Sequence, residues 1–250
     1  MAAEAPGWQR IGPDPLLHAW AEAALPLARQ ALAEDPAPRR SGDTWAVGLD
    51  LLPNEADGRI GGTAFPWGVL PLAPVALHRV QISTIYPGYP RPDPEESPAN
   101  FRFRQTRAAA HLDGLLAIGS DRRRMVKEPH GWILGLPLTD CSADAAPLTV
   151  WEGSAPILRA ALIAAFADHP PETWHDIDVT EAYTAARAQV FQTCRRVDLP
   201  ARPGEAILLH RLTLHGVTPW AEGAAAPPEG RIIAYFRPLL PSVADWLNLP

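Results

Sequence analysis

Cysteine and positive charge are scarce in this sequence. Cys141 and Cys194 are the only cysteines in 250 residues, so neither a disulfide framework nor a CxxC metal motif is available. The formal net charge of −6 argues against a basic surface for nucleic acid. No apolar run reaches the length of a membrane span, and the first residues lack a signal-peptide pattern. We therefore expect a reduced, cytoplasmic protein with no nucleic-acid or membrane partner.

Proline, by contrast, is abundant. The chain holds 29 prolines and 18 glycines, and 47% of its residues are hydrophobic. Frequent turns, together with enough apolar residues for a sizeable core, favour short strands over a helical bundle. An all-β domain of this size commonly stays single. We predict one domain over residues 1–250, mainly β with flanking helices, in which a helical segment over 14–34 precedes a β core over 45–238.

A short motif and a later strand carry the residues with the most evident chemistry. His111 and Asp113 are two positions apart, so an extended backbone places both side chains on one side. A non-haem iron(II) site needs two imidazoles and one carboxylate on one face of the metal, with positions left open. The second imidazole must come from another strand, and His210 and His215 are both candidates. Because they are five positions apart, a regular strand would point them in opposite directions.

Arg231 opens the strand pattern that follows these histidines. On that strand Arg231, Tyr235 and Arg237 share one face. An arginine buried in a barrel needs an anion, and its planar guanidinium matches a carboxylate with two charge-assisted hydrogen bonds. Taken singly, a strand histidine is more often a core residue and an arginine more often lies at the surface. Their joint order is much less frequent by chance, and it favours a metal site that also binds a dicarboxylate.

Three blocks of sequence together resemble the phytanoyl-CoA dioxygenase-type iron(II)/2-oxoglutarate oxygenases. The blocks are Ala110–Gly114, the paired segments 132–140 and 146–154, and the segment 204–237. The resemblance covers roughly residues 102–238. It departs from the family's pattern at Glu152, where the family has proline, and at Ala155, where the family has histidine.

This resemblance implies a fold, a ligand set and a reaction. The implied fold is a double-stranded β-helix, a cupin-like jelly roll with helices packed outside. His111, Asp113 and His215 would bind Fe(II), which leaves His210 outside the ligand set, and Arg231 would anchor 2-oxoglutarate. The implied reaction hydroxylates a small-molecule substrate with molecular oxygen and releases succinate and CO₂. Asp113 favours hydroxylation, because related halogenases lack this carboxylate and bind a halide in its place.

Two other functions remain open. A cupin-type metalloenzyme could use the same ligands without 2-oxoglutarate, although Arg231 argues against it. A jelly-roll binding protein could have lost turnover, although the intact ligand set argues against that. Arginines flank the metal motif at 102–107 and 122–124; such charges usually form a solvated face, and the alternative is that they bind an acidic substrate. The proline-rich loop 87–98 is either a lid over the site or a spacer.

Overall fold

A computed structural model describes residues 6–35 and 37–249 of the chain. Over these ranges the regular structure is mainly antiparallel β-sheet with helices beside it. The strands are β1 (Trp8–Ile11), β2 (Trp45–Gly48), β3 (Gln81–Ile85), β4 (Leu115–Ile118), β5 (Arg123–Val126), β6 (Trp132–Pro137), β7 (Leu148–Glu152), β8 (Arg195–Leu199), β9 (Ala206–His210), β10 (His215–Val217) and β11 (Arg231–Phe236).

The described α-helices lie between the strands and after the last of them. They are α1 (Pro15–Glu34), α2 (Pro98–Arg107), α3 (Ser154–Phe166), α4 (Thr180–Thr193) and α5 (Val243–Asn248). The Asp14 carboxylate caps α1 by accepting a hydrogen bond from Leu16 N at 2.8 Å, and Pro15 occupies the first turn of the helix. In none of the described helices are length and apolar character sufficient to cross a lipid bilayer.

The larger sheet has six antiparallel strands in the order β1-β9-β6-β11-β3-β2. The alternation over residues 77–86 predicts a longer third strand than is found, because only Gln81–Ile85 join the sheet. Asn54 explains the difference: its side chain donates to His78 O at 3.0 Å and accepts from Val80 N at 2.8 Å. A loop side chain therefore satisfies backbone groups that would otherwise extend the strand.

The two faces of β3 serve different purposes. Val80 and Ile82 are fully buried in a core that also contains the apolar face of α1, with Trp20 at its centre. Gln81 and Ser83 point to the opposite side and line the cavity of the candidate site. The polar face of β3 is therefore turned toward the site.

A smaller sheet, in the order β10-β7-β8, packs against the larger one. Ile133, Ile207 and Leu209 of the larger sheet meet Leu148 and Val150 of the smaller sheet in one buried cluster. The candidate site lies beside this contact, so strands of both sheets can supply side chains to it.

A second large core lies behind the smaller sheet. It is formed by apolar residues of α3, α4 and α5, with Phe166, Tyr183 and Trp246 almost fully buried. Residues 155–167 and 178–196, whose sequences predict helices, contain α3 and α4, and α5 docks through the buried Trp246. The sequence from Asp178 to Glu181 has a capping-box pattern, but the box does not form, because Glu181 instead accepts a hydrogen bond from Arg123.

Candidate metal centre

His111 lies just beyond the end of α2. The chain turns there because Ala108 and Ala109 adopt left-handed backbone conformations, with φ of 52° and 51°. His111 then forms an antiparallel bridge with His215: His111 N donates to His215 O at 2.8 Å, and His215 N donates to His111 O at 3.1 Å. Residues that face each other in such a bridge carry neighbouring side chains, and the two imidazole centroids are 4.7 Å apart.

His215 is the first residue of β10, which lies between α2 and β7. It pairs with Val150 of β7, and the preceding Leu214 N donates to Ser154 Oγ at 2.9 Å. Gly216 lies so close to the end of α2 that an added Cβ would stand 2.1 Å from Ala108 O. A glycine at this position therefore allows the two histidine-bearing segments to meet.

Asp113 completes the group. Its backbone is held on both sides, since Leu112 N donates to Tyr183 Oη at 3.2 Å and Lys127 N donates to Gly114 O at 2.9 Å. Asp113 Oδ1 lies 3.2 Å from His111 Nε2 and 3.7 Å from His215 Nε2. One ligand atom from each of the three residues lies within 4.8 Å of the others, as a single metal ion requires.

The hydrogen bonds of the two imidazoles fix their tautomers. His111 Nδ1 is 3.0 Å from Ala109 O, and His215 Nδ1 is 2.9 Å from Thr213 O. A carbonyl oxygen only accepts, so each Nδ1 carries the proton and each Nε2 presents a lone pair. When both imidazoles are neutral, two nitrogen lone pairs and one carboxylate oxygen converge with no hydrogen atom between them. A transition-metal cation can bind all three of these atoms.

The electrostatics keep Asp113 and His215 in the forms that bind metals, but not His111. Burial alone would lower the pKa of His111, but the hydrogen bond and the charge of Asp113 raise it, so a metal ion competes with a proton on its Nε2. Burial alone would raise the pKa of the Asp113 carboxyl, but the hydrogen bond with His111 and the charges of His215, His111 and Arg237 hold it well below its usual value. Burial lowers the pKa of His215 to about 4, helped by the charge of His111. At neutral pH the aspartate is ionised and His215 is neutral.

Arg237 contacts the same carboxylate from the other side. Its Nη1 donates to Asp113 Oδ2 at 3.2 Å, and its Nη2 donates to Gln81 Oε1. Asp113 therefore presents Oδ1 to the histidines and Oδ2 to the guanidinium. A charged hydrogen bond of this kind orients a ligating carboxylate.

Two connected cavities reach the triad. The inner cavity, of about 190 Å³, is lined by all three residues, by Gln81, Tyr235 and Arg237, and by the apolar side chains Ile133, Leu148 and Leu209. The outer cavity, of about 610 Å³, shares His111, Asp113 and Arg237 with it and extends toward α2 and the β4–β5 hairpin. The side chain of His111 is 52% exposed at the junction, whereas that of His215 is 8% exposed.

Arg231 is buried at the start of β11, where it pairs with Ile85 of β3. Burial raises the pKa of the Tyr235 hydroxyl, and the charge and hydrogen bond of Arg231 act against that increase. Tyr235 lines the inner cavity and Arg231 does not. Within the part of the chain that the structure describes, no carboxylate lies within ion-pair distance of Arg231.

His210 is not part of the triad. It is the last residue of β9, and its Nδ1 accepts a hydrogen bond from Leu212 N at 3.1 Å. The interpretation from odd spacing assumed one regular strand, but the chain turns between β9 and β10 at Arg211–Leu214. The two histidines are separated because they belong to different sheets.

Sequence reasoning did not find the contact between Arg237 and Asp113. Strand alternation places Arg237 on the face of Arg231 and Tyr235, and this was the only available signal. It could not show that the end of β11 lies beside the His111–Asp113 segment. Trp45 is a second lining residue without a sequence signal; its Nε1 donates to Ser83 Oγ at 3.1 Å at the edge of the inner cavity.

Comparison with known proteins gives a fold but no family. No family model and no curated protein sequence matches the chain. Among solved structures, the non-heme alpha ketoglutarate dependent carbocyclase SnoK from nogalamycin biosynthesis is 15% identical, with a TM-score of 0.51 over 97% of this chain and 85% of SnoK. AviO1 from Streptomyces viridochromogenes Tue57 is 14% identical, with a TM-score of 0.45 over 96% of this chain and 94% of AviO1. The chain thus shares the overall fold of SnoK.

Proposed function

We propose that this protein is a non-haem Fe(II)- and 2-oxoglutarate-dependent oxygenase that hydroxylates a small molecule. The observation that carries the proposal is the convergence of His111 Nε2, His215 Nε2 and Asp113 Oδ1 at the junction of two cavities. The fold shared with a protein described as alpha ketoglutarate dependent supports it. We further infer that residues 1–250 form one domain and that the two sheets are the halves of a jelly roll. Their strands lie within 45–238 except β1 (Trp8–Ile11), which joins the larger sheet from outside the β core that the sequence predicts.

His111, Asp113 and His215 would hold the metal. Two neutral imidazoles and one carboxylate suit iron(II) and leave positions open for a cosubstrate and oxygen. When bound, iron and 2-oxoglutarate supply the oxidising chemistry, in which O₂ is consumed, succinate and CO₂ are released and the substrate gains a hydroxyl group. The chain supplies the oriented ligands and the apolar wall of Ile133, Leu148 and Leu209, which excludes water.

Arg231 is our proposed partner for the far carboxylate of 2-oxoglutarate. Arg231 is only 9% exposed and has no carboxylate partner in the described ranges, which leaves a buried positive charge without a countercharge. Such a charge is costly unless an anion pairs with it. Arg237 also carries a guanidinium into the cavity, and Asp113 and Gln81 accept hydrogen bonds from its Nη1 and Nη2, while its buried Nε has no partner among the described residues. We assign Arg237 to positioning Asp113.

Two rival functions share the triad. A cupin-type enzyme without 2-oxoglutarate would bind the metal but leave Arg231 without a role. A binding protein without turnover would bind metal and cosubstrate but produce no succinate. Measurements of metal binding, cosubstrate binding and succinate release separate the three functions.

The test is anaerobic iron titration followed by a substrate screen that detects succinate. We expect Asp113→Ala to abolish succinate release and to weaken iron binding by tenfold or more, because a ligand that balances the metal charge is lost. His215→Ala should behave in the same way. His210→Ala is the matched control, since it removes a buried imidazole outside the triad and should keep the iron.

Unchanged iron affinity in Asp113→Ala would remove the triad from this function. Loss of iron from His210→Ala, with iron retained by His215→Ala, would show that the wrong histidine has been assigned.

A further inference from the structure

The outer cavity has a positively charged wall opposite the triad. It extends from His111 and Asp113 to the β4–β5 hairpin, where Arg122 and Arg124 line it. Phe103, Leu115 and Leu116 form apolar wall between them. Any molecule that fills this cavity would lie between the proposed iron and the two arginines.

Three consecutive arginines on this hairpin are divided between two environments. Successive side chains on a strand point to opposite faces. Arg123 points away from the cavity and donates to Asp178 and Glu181, which neutralise it. Arg122 and Arg124, on either side of it, line the cavity instead. Alternation along β5 separates Arg123 from Arg124, and the hairpin turn carries Arg122 to the same cavity as Arg124. One arginine therefore has a structural ion pair and two face the candidate substrate space.

The backbone of Arg124 is fixed by α4. Arg124 N donates to Thr180 Oγ1 at 2.7 Å, and Val179 N donates to Arg124 O at 2.9 Å. One guanidinium nitrogen, Nη1, donates to Leu115 O at 3.2 Å. A guanidinium has five N–H donors, so most of those of Arg124 remain available to a ligand. Arg122 follows at the turn of the hairpin, where its φ is 52°.

The other charges around the outer cavity are largely matched. The carboxylates that line it are Glu96, Asp113 and Glu128, and the remaining arginines are Arg40, Arg104 and Arg237. Arg104 pairs with Glu96, Arg237 pairs with Asp113, and Glu128 lies 3.2 Å from His130. Across residues 6–35 and 37–249, Arg40, Arg122 and Arg124 therefore line the cavity with no carboxylate within ion-pair distance. Arg40 lies over the Trp45 ring and makes a cation–π contact with it. Arg122 and Arg124 of the hairpin are then the lining arginines for which the described residues provide neither a carboxylate nor an aromatic ring.

We propose that the substrate is a small organic anion whose carboxylate or phosphate binds Arg122 and Arg124 while its carbon skeleton extends toward the triad. That the anion is a substrate rests on the proposed function, whereas the anion site itself depends only on Arg122 and Arg124 of the hairpin. Arginine binds carboxylates and phosphates in the same bidentate manner. The apolar residues between the two ends suit a hydrocarbon or aromatic body. A substrate bound in this way presents to the metal the end far from its charge.

The test is a calorimetric titration of the full chain with phenyl phosphate, benzoate and neutral benzyl alcohol. We expect the anions to bind more tightly than the alcohol, and added salt to weaken only the anions. Arg124→Gln should weaken anion binding by about tenfold or more, as loss of a charged hydrogen bond does. Arg122→Gln should act in the same direction. Arg124→Lys keeps the positive charge, so anion binding that is retained there and lost in Arg124→Gln comes from the charge and not from a failure to fold.

Arg123→Gln is the matched control, because it removes the neighbouring guanidinium from the opposite face and should leave anion binding unchanged. A larger loss for phosphate than for benzoate identifies a phosphate site, and the reverse identifies a carboxylate site. Equal binding by wild type and Arg124→Gln, or benzyl alcohol binding as tightly as the anions, would overturn the inference.

Iron and 2-oxoglutarate binding are measured on the same samples. Anion binding that depends on Arg124 in a protein that binds no iron would reject the proposed function and retain the anion site. Normal iron and cosubstrate binding without Arg124-dependent anion binding would reject only the anion site.

Discussion

Each of the two oxygens of Asp113 has a separate partner. Oδ1 faces the two histidines and Oδ2 accepts from Arg237, so one carboxylate links the proposed metal to the end of β11. A positioning role for Arg237 and an anchoring role for Arg231 make different demands on the same strand. Substitution of each arginine distinguishes the two roles.

We expect Arg231→Ala to weaken 2-oxoglutarate binding. Arg237→Ala should weaken iron binding more than Arg231→Ala does. Loss of a bidentate charged contact in a buried pocket costs about 2–5 kcal/mol, which corresponds to about thirtyfold to several thousandfold in affinity. Arg231→Lys should also bind poorly, because an ammonium cannot reproduce the planar fork. The measurement is the dissociation constant of 2-oxoglutarate with iron bound and oxygen excluded.

The comparison between the two variants is itself the control, since one removes the arginine at the start of β11 and the other removes the arginine that follows its end. A normal 2-oxoglutarate dissociation constant in Arg231→Ala would remove the cosubstrate from the proposed function and favour the cupin-type enzyme. If Arg231→Ala binds 2-oxoglutarate normally and Arg237→Ala loses most of its affinity for it, Arg237 is the anchor instead.

The sequence alone identifies these residues as candidates but does not predict which of their side chains are in contact. The two-residue spacing of His111 and Asp113 predicts that their side chains lie together, and they do. The contact of Arg237 with Asp113 joins positions 124 residues apart, and no local pattern encodes such a distance. The family resemblance implies that Arg231, at the start of a strand, anchors 2-oxoglutarate, and this role stays a prediction.

At the scale of elements, the three-residue strand β10 brings the site together. Its His215 bridges to His111 while its neighbour Gly216 lies against the end of α2. The closeness of α2 and β10 depends on the missing side chain at Gly216, since a Cβ would meet Ala108 O at 2.1 Å and Ala110 N at 3.2 Å.

We expect Gly216→Ala to separate α2 from β10 and so to move His111 away from His215. Crowding a methyl group against a backbone carbonyl costs about 1–3 kcal/mol in unfolding free energy, and it should also weaken iron binding. Urea unfolding and iron titration measure the two effects. Gly12→Ala is the control, because an added Cβ at Gly12 meets nothing within 4 Å. An alanine at position 216 that leaves both quantities unchanged would show that the end of α2 can move freely.

The helix α2 shows why some elements escaped prediction. It contains no buried residue, so the sequence 98–107 has no apolar stripe with helical spacing. Its ends define it instead: Ser97 Oγ accepts from Asn100 N at 3.2 Å, and Pro98 occupies the first turn. By contrast, α3 and α4 each bury one face against the second core, and their periodicity predicted them.

At the scale of the whole molecule, a buried neutral imidazole ties stability to pH. Burial lowers the pKa of His210 to about 3 from 6.5, and the charges of Arg211 and Arg159 add to the effect. Between these values the unfolded chain binds a proton that the folded chain does not. The free energy of unfolding therefore falls as pH falls below 6.5.

We expect His210→Asn to reduce this acid sensitivity. The asparagine Oδ1 can replace Nδ1 as the acceptor for Leu212 N, while the titratable group is lost. Each unit of pH below 6.5 costs the wild type at most about 1.4 kcal/mol through this residue, or up to about 2 kcal/mol at pH 5. Urea unfolding at neutral pH sets the baseline for both proteins. Parallel losses of stability in the two proteins on acidification would show that other groups dominate.

The bridge between His111 and His215 joins positions 104 residues apart in the chain. No hairpin or helix brings them together, so the triad forms only after the intervening β4–β9 segment has closed into a loop. A chain still being synthesised has two ligands until residue 215 emerges, and two ligands do not make this site. The complete ligand set therefore exists only once a loop of this length has closed, whereas the ligands of a zinc finger lie close together in sequence. Closing such a loop costs chain entropy, which the long-range pairing of the strands must offset.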